Sequence, residues 1–397
     1  MKFDNLKVQR SNRVWLNAQS CDLEDFKKLI SRTTDAADYP HAADIVSNVP
    51  LYDCAELRKT ASDPDGRKSV MAEWAEVMLS GPGIVVLKGA FTSTAIVDAA
   101  SKVFFDIIAD QHAQGTAAGD HFAKPGANDR AWNTVEKLAL RAPDVFAGYY
   151  ANDMIAMVCE AWLGTGYQIT AQLNIVNPGG EAQSVHRDYH MGFQTAKEIE
   201  RFPVHAHQLS PVLTLQGAVA HVDMPVETGP TLYLPYSQTF VPGYFAWRRP
   251  EFKEFFNSNY VQLPLAKGDA AFFNPALFHA AGTNRTRDVR RMANLLQISS
   301  AYGRAMETVD RTRMSLALFP MLKRMKADGR LDAGQIANVV AACAEGYAFP
   351  TNLDRDPPLG GLAPASQQAM MLKALAENWD IAKFNHELAA GAWRKLT

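Results

Sequence analysis

The sequence predicts a mainly β protein with flanking helices, built as an antiparallel sandwich or jelly roll, and three observations carry that expectation. Between residues 168 and 299 short strand-like runs recur, separated by Gly, Pro and Asn turns. A short apolar run bounded by glycines, Gly83-Ile84-Val85-Val86-Leu87-Lys88-Gly89, reads as a buried strand that opens the β region. Helical periodicity marks the segments on either side. The expected organisation is an N-terminal helical extension over 1–80, a central β domain with bracing helices over 81–303, and a C-terminal helical extension over 304–397.

Residues 1–80 are polar and mixed, with helical stretches around Leu23 to Ile30 and Ser69 to Leu79. After the glycine-bounded strand, helical patterns run from Ser93 to Gln111, with Ser93 or Thr94 as cap, and from Pro143 to Leu163. Gln168 to Val176 alternates, so that Gln168, Thr170, Gln172 and Asn174 share one face opposite Ile169, Leu173 and Ile175. That polar face is either solvated or turned to a wet cavity. Further strands are expected at Pro211 to Val222, Thr231 to Leu234, Ala270 to Asn274 and Arg290 to Ser299. Beyond Tyr302, helical periodicity returns at Asp310 to Ala327, Asp332 to Cys343 and Ser366 to Trp379. This tail reads chiefly as a buttress; a cover for the site or a homodimer surface are its other two readings.

Composition narrows the function classes. A chain of 397 residues with 47% hydrophobic content can bury a sizeable core, as one elaborated barrel or two domains. Forty basic against forty-two acidic residues give a net charge of −2, so no electrostatic attraction to nucleic acid or an anionic membrane is expected, and a small-molecule substrate is. Cys21, Cys54, Cys159 and Cys343 are scattered, as a reducing compartment permits. The N-terminal residues lack an apolar signal core and no run of about 18 apolar residues occurs, so a cytoplasmic protein is expected.

The chemistry-bearing residues are His186, Asp188 and His279. In an extended segment His186 and Asp188 point to one face, and His279 arrives from a distant strand. Two imidazoles and one carboxylate suit ferrous iron and leave three adjacent coordination positions open, which is a catalytic rather than a structural arrangement. Eleven residues after His279, Arg290 is placed at the start of the following strand, where a guanidinium can clamp a carboxylate bidentately. Its neighbour Arg291 is expected on the opposite face.

His186-x-Asp188-x-His190, the segment Thr228-Gly229-Pro230-Thr231-Leu232-Tyr233-Leu234-Pro235, and Phe278-His279-Ala280-Ala281-Gly282-Thr283-Asn284 with Arg290 resemble the phytanoyl-CoA dioxygenase family of iron(II)- and 2-oxoglutarate-dependent oxygenases. The resemblance covers roughly residues 80 to 300 and implies a double-stranded β-helix, the jelly-roll or cupin-like barrel. It implies Fe(II) held by His186, Asp188 and His279, with 2-oxoglutarate and O2 as cosubstrates. The implied reaction is hydroxylation of a substrate C–H bond with release of succinate and CO2. Asp188 occupies the position that halogenases of this fold leave open for chloride. Two departures stand out. The family's Pro-x-Ser-His turn here reads Pro235-Tyr236-Ser237-Gln238, and a small hydroxyl residue two positions after the distal histidine is replaced by Ala281. Arg290, with Gln172 and Thr231, is therefore expected to hold the cosubstrate.

Four other residues are candidates for substrate contact. Asn174 lies on the polar strand face, and His190 would share a face with His186 and Asp188 in an ideal strand. Lys124 and Trp132 belong to a stretch whose mixture of cationic, amide and aromatic groups suits a binding loop. Two readings from other classes stand beside the oxygenase: a zinc hydrolase using two histidines and an aspartate, and a non-catalytic ligand-binding jelly roll. Neither accounts for both the arginine and an open triad.

Overall fold

A computed structural model describes residues 10–115 and 127–397. The strands among the described residues are β1 (Asp44–Val46), β2 (Val49–Asp53), β3 (Ile84–Lys88), β4 (Asn128–Ala131), β5 (Gln168–Val176), β6 (Thr214–Ala220), β7 (Leu232–Leu234), β8 (Val261–Gln262), β9 (Ala270–Phe273), β10 (Phe278–Ala280) and β11 (Arg291–Ser299). They form an eight-stranded sheet of order β1-β2-β3-β9-β6-β11-β5-β4 and a three-stranded sheet of order β10-β7-β8. The small sheet is antiparallel. In the large one β1–β2, β3–β9 and β6–β9 are antiparallel and β2–β3 is parallel. With the many helices this is a mixed α+β fold around a large, mostly antiparallel sheet. The chain divides into two compact units.

The first unit comprises the described parts of Met1–Thr92, Ala118–Arg130 and Asn174–Leu295. Its large-sheet strands begin earlier than the glycine-bounded run suggested. β1 and β2 precede β3 as a hairpin whose turn residues, Ser47 and Asn48, have φ of 52° and 68°. Two successive positive φ values match the right-handed twist of paired strands, and Asn is among the side chains that tolerate them. Another expected strand, Pro211 to Val222, is shorter than its apolar pattern. Residues Val204–Val212 are helical and only Thr214–Ala220 form β6, because a continuous apolar run does not by itself distinguish a buried strand from a buried helix end.

Alternation in the small sheet divides two cores. Leu232 and Leu234 of β7, with Phe278 and Ala280 of β10, pack into one with Phe26, Phe240 and Phe252. Tyr233 faces the other way, into a core shared with Val86, Ala218, Ala271 and Phe273 of the large sheet. Side chains from the two sheets therefore meet within this unit. Period-2 geometry leaves one face of β7 and β10 for the outer helices and the other for the inner core. The helix Leu23–Ile30, whose N-terminus is capped by the Asp22 carboxylate on Asp25 N–H, brings Phe26 into the outer core.

The second unit comprises the described parts of Ser93–Ala117, Ala131–Leu173 and Leu296–Thr397. The helix Thr94–Ala113 has Ser93 at its N-cap. The single long helix expected from Pro143 to Leu163 is two, Pro143–Tyr150 and Asp153–Leu163, divided where the Asn152 side chain accepts from Ile155 N–H and caps the second. In the tail, Asp310 and Asp332 cap Arg311–Ala327 and Ala333–Cys343. Gln367–Ala376 is followed by Ile381–Arg394, a helix absent from the sequence reading. Phe319 and Phe384 stack with centroids 3.9 Å apart. Buried Arg311 donates to the carbonyls of Ile169 on β5 (3.1 Å) and Ala342 (3.3 Å). Among the described residues, no helix is long and apolar enough to cross a membrane.

Phe26 is fully buried, with its ring centroid 5.1 to 5.9 Å from those of Phe240, Phe252, Phe255 and Phe278. Phe26→Ala is expected to destabilise the protein by about 3–5 kcal/mol, read as a lower midpoint of urea unfolding.

Candidate metal centre

His186 and His279 face each other as an antiparallel bridge, each backbone N–H donating to the other's carbonyl, at 3.0 and 3.2 Å. Residues paired in this way present their side chains to the same face, and the two ring centroids are 4.5 Å apart. The Nδ1 atoms are committed elsewhere: His186 Nδ1 lies 2.9 Å from the Ser184 carbonyl and His279 Nδ1 lies 2.8 Å from the Leu277 carbonyl. A carbonyl oxygen only accepts, so each Nδ1 carries a proton. In the neutral rings the Nε2 lone pairs are then left for a ligand, the usual way of fixing a metal-binding tautomer.

Asp188 completes the group. Its Oδ1 is 3.8 Å from His186 Nε2 and its Oδ2 is 3.4 Å from His279 Nε2, and ligand atoms of the three residues lie within 4.8 Å of one another. Burial acts to raise this carboxyl. The imidazoles of His186 and His279 and the amide of Gln216 outweigh burial and hold it well below the usual carboxylate range. Two lone pairs and an anionic oxygen converging in a largely enclosed site repel one another unless positive charge lies between them. Protons on both imidazoles or a cation would supply it. The donor set fits iron(II), since two imidazoles and one carboxylate on one face leave the remaining positions open.

The segment bearing His186 and Asp188 is held from behind by Arg187. This buried guanidinium donates through Nη2 to the carbonyls of Ser237 (2.5 Å) and Phe240 (3.0 Å), with its centre 5.2 Å from the ring centroids of Tyr244 and Phe278. Burial pushes it down to about 10. Gly243 is required here, because a Cβ would fall 1.9 Å from Arg187 Cζ. Gln238, standing where the family's histidine is usual, donates from Nε2 to the Gly81 carbonyl at 2.8 Å and ties the turn after β7 to the loop before β3.

A pocket lies beside the triad. Tyr233 in its wall is the cross-strand partner of His279. Ala218, also in its wall, is two residues along β6 from Gln216, which donates to Asp188 Oδ2. The polar lining is Asn174, Thr231, Tyr233 and Arg291. Arg291 is only 6% exposed, and burial pushes it down to about 10. Its Nη1 donates to the Gly282 carbonyl at 3.3 Å, and no carboxylate among the described residues pairs with it. Tyr233 is raised to about 12 by burial, against a hydrogen bond with Thr231, so it is a neutral hydroxyl at physiological pH. Asn174 Oδ1 is buried without a hydrogen-bond partner among the described residues. The Gly229-Pro230-Thr231 segment reaches this wall by close backbone approach: Gly229 has φ of +74°, and a Cβ on it would lie 2.4 Å from the Thr283 carbonyl oxygen.

The structure thus assembles His186, Asp188 and His279, and places Asn174 and Thr231 in the adjoining pocket. It corrects the arginine. Arg290 is exposed and paired with Asp129 at 3.0 Å and with Asn177 Oδ1 at 3.1 Å, whereas Arg291, Ala293 and Leu295 line the pocket. β11 begins at Arg291, and alternate residues from there, Arg291, Ala293 and Leu295, reach the pocket. Both faces of this strand are buried, so its sequence carries no alternation to reveal the parity. Gln172 is also displaced: it is buried, donates to Gln297 Oε1 at 2.6 Å and does not line the pocket. His190 turns away because the backbone leaves the extended region at Tyr189 and His190, with φ of 51° and 24°, and its Nδ1 lies 3.4 Å from Ser210 Oγ. Trp132 follows β4, half-buried and outside the pocket lining. Lys124 lies outside the described residues. Sequence reasoning passed over Arg187, Gln216 and Tyr233, and placed Arg291 on the wrong face. The one signal for Gln216 was a lone amide within the apolar run Thr214–Ala220.

Residues 47–292 match the family described as Phytanoyl-CoA dioxygenase (PhyH). The chain belongs to this family. It is accordingly an iron- and 2-oxoglutarate-dependent, oxygenase-type enzyme. No curated protein sequence matches the chain significantly. Solved structures to which it is similar include the non-haem α-ketoglutarate-dependent epimerase SnoN from nogalamycin biosynthesis, at 20% identity over 60% of this chain and 82% of that one, with a TM-score of 0.40. The α-ketoglutarate-dependent carbocyclase SnoK from the same biosynthesis is 16% identical over 63% and 91% of the two chains, with a TM-score of 0.41. EvdMO1 is 15% identical over 58% and 50%, also at 0.41.

Replacing Arg187 by Ala would leave a cavity and two carbonyls without their donor. A loss of about 2–4 kcal/mol is expected, checked by urea unfolding of the metal-free protein against wild type.

Proposed function

We propose that this phytanoyl-CoA dioxygenase family member hydroxylates a C–H bond of a small-molecule metabolite at an iron centre held by His186, Asp188 and His279. The observation that carries the reading is the pairing of that three-residue cluster with a buried arginine that lacks a carboxylate partner, in the wall of the adjoining pocket. When bound, iron and 2-oxoglutarate supply an oxidative decarboxylation that consumes O2, releases succinate and CO2, and is coupled to oxidation of the substrate. The protein's part is to bind, orient and enclose.

Arg291 is the anchor for the distal carboxylate of 2-oxoglutarate. A guanidinium already stripped of water forms a strong charge-assisted bond with an incoming carboxylate, and the pair relieves the unfavourable isolation of each charge. Thr231 and the neutral Tyr233 hydroxyl add donors on the same wall, in the role that Ala281 cannot fill. The Nδ1 contacts to Ser184 and Leu277 hold both imidazoles in the ligating tautomer. Asn174, with an unsatisfied Oδ1 in the pocket, suits a donor group on the substrate. The two sheets whose side chains meet in the first unit are read as the walls of a double-stranded β-helix, with the helices before β3 and after Tyr302 as additions.

Anaerobic titration tests this reading. Addition of 2-oxoglutarate to the iron(II)-loaded protein is expected to produce the weak visible charge-transfer band of the chelate. Arg291→Ala should raise the 2-oxoglutarate concentration needed for half of that band on the order of 100-fold, the loss of a buried charge-assisted contact of about 2–3 kcal/mol. Arg290→Ala should raise it by less than about fivefold, because an exposed pair contributes little. Iron binding without any band would sink the cosubstrate assignment, and the opposite order of the two variants would return the anchor to Arg290.

A further inference from the structure

Asp188 occupies a stretch without regular structure. Its backbone is fixed: the N–H donates to the Pro275 carbonyl at 3.1 Å, and its own carbonyl accepts from the Tyr244 hydroxyl at 3.3 Å. Neither contact controls the carboxylate plane, since the terminal torsion of an aspartate is broad and weakly restrained. A carboxylate free to turn can offer a metal one oxygen or two. Control of that choice lies in a different element of the fold.

Gln216 sits on β6, every residue of which is buried, and is paired across to Phe273 of β9. Its side chain is 7% exposed, and its Nε2 donates to Asp188 Oδ2. Reversing the amide would set its carbonyl against the carboxylate, so the orientation is dictated by charge. The consequence is visible on the other atom: Oε1 is buried with no hydrogen-bond partner among the described residues. With Oε1 gaining no partner, the Nε2 contact with Asp188 is the one hydrogen bond that holds the amide in this orientation among the described residues. Its contact with Asp188 is what the arrangement preserves.

We infer that Gln216 is the positioning residue of the metal centre: by occupying Oδ2 of Asp188 it would leave the carboxylate to offer iron one oxygen rather than two. The inference rests on the iron-site reading above. Outer contacts of this kind commonly govern metal affinity by 10–100-fold.

The test is iron(II) affinity of the full-length protein, measured by anaerobic titration for wild type, Gln216→Met and Gln238→Met. Gln238 is the control because it too is a buried amide with one bonded Nε2 and an unpaired Oε1, yet it does not touch the triad. Expected is an affinity about 10–100-fold weaker for Gln216→Met and within about twofold of wild type for Gln238→Met, with similar thermal melting of the two metal-free variants. Affinity unchanged in Gln216→Met, or lowered equally in both variants, overturns the positioning role. Failure of wild type itself to bind iron instead removes the iron-site reading, and the inference falls with it. A second readout needs no variant. In the iron-loaded minus metal-free infrared difference spectrum of protein labelled with 13C-carboxyl aspartate, a widened separation of the antisymmetric and symmetric stretches is expected for single-oxygen binding. A narrowed separation, as for a chelating carboxylate, overturns the proposal even if Gln216→Met does not fold.

Discussion

The antiparallel hydrogen-bonded pair formed by His186 and His279 is the constraint on which the candidate centre depends. It joins an irregular segment to β10, and so brings together imidazoles that are 93 residues apart in the chain. Because paired residues share a face, one backbone contact aims both rings at the same volume. The Nδ1 contacts then select which nitrogen is presented, and Asp188 is carried alongside two residues after His186. What surrounds the pair serves to keep it in place: Arg187 and Gly243 behind the segment, and the outer aromatic core against the far side of β7 and β10.

The second governing element is an unsatisfied charge. Arg187 and Arg291 are both buried, but their surroundings differ in kind. Arg187 is held by two carbonyls and two aromatic rings, which is how a structural guanidinium is accommodated without a counter-ion. Arg291 has one long contact to a carbonyl and an otherwise open pocket before it. Isolation of a charge from water is unfavourable without a partner, and this asymmetry sets Arg291 apart from Arg187. Arg290, by contrast, spends its charge in a solvent-screened pair with Asp129.

In the second unit, the tail helices are tied to β5 through Arg311 and to each other through the Phe319–Phe384 stack. β5 carries Asn174 two residues before its end. The same strand shows why a polar face was ambiguous in the sequence. Gln172 and Thr170 satisfy their polar groups on Gln297, whereas Asn174, two residues on, opens into the pocket.

The sequence by itself determined which residues make the candidate cluster, the order of the motifs and most of the strands, because these follow from local chemistry: residue type and period-2 spacing. His186, Asp188 and His279 were legible for that reason, as was Ser93 at the start of the helix Thr94–Ala113. Tertiary structure alone decided which of Arg290 and Arg291 enters the pocket, since a strand buried on both faces has no polar alternation to mark its inner side. It alone turned His190 away, through positive φ values that no residue type there announces. It also brought Gln216 of β6 to Asp188 in an irregular segment, a contact between residues 28 apart in the chain that depends on how strand and segment pack.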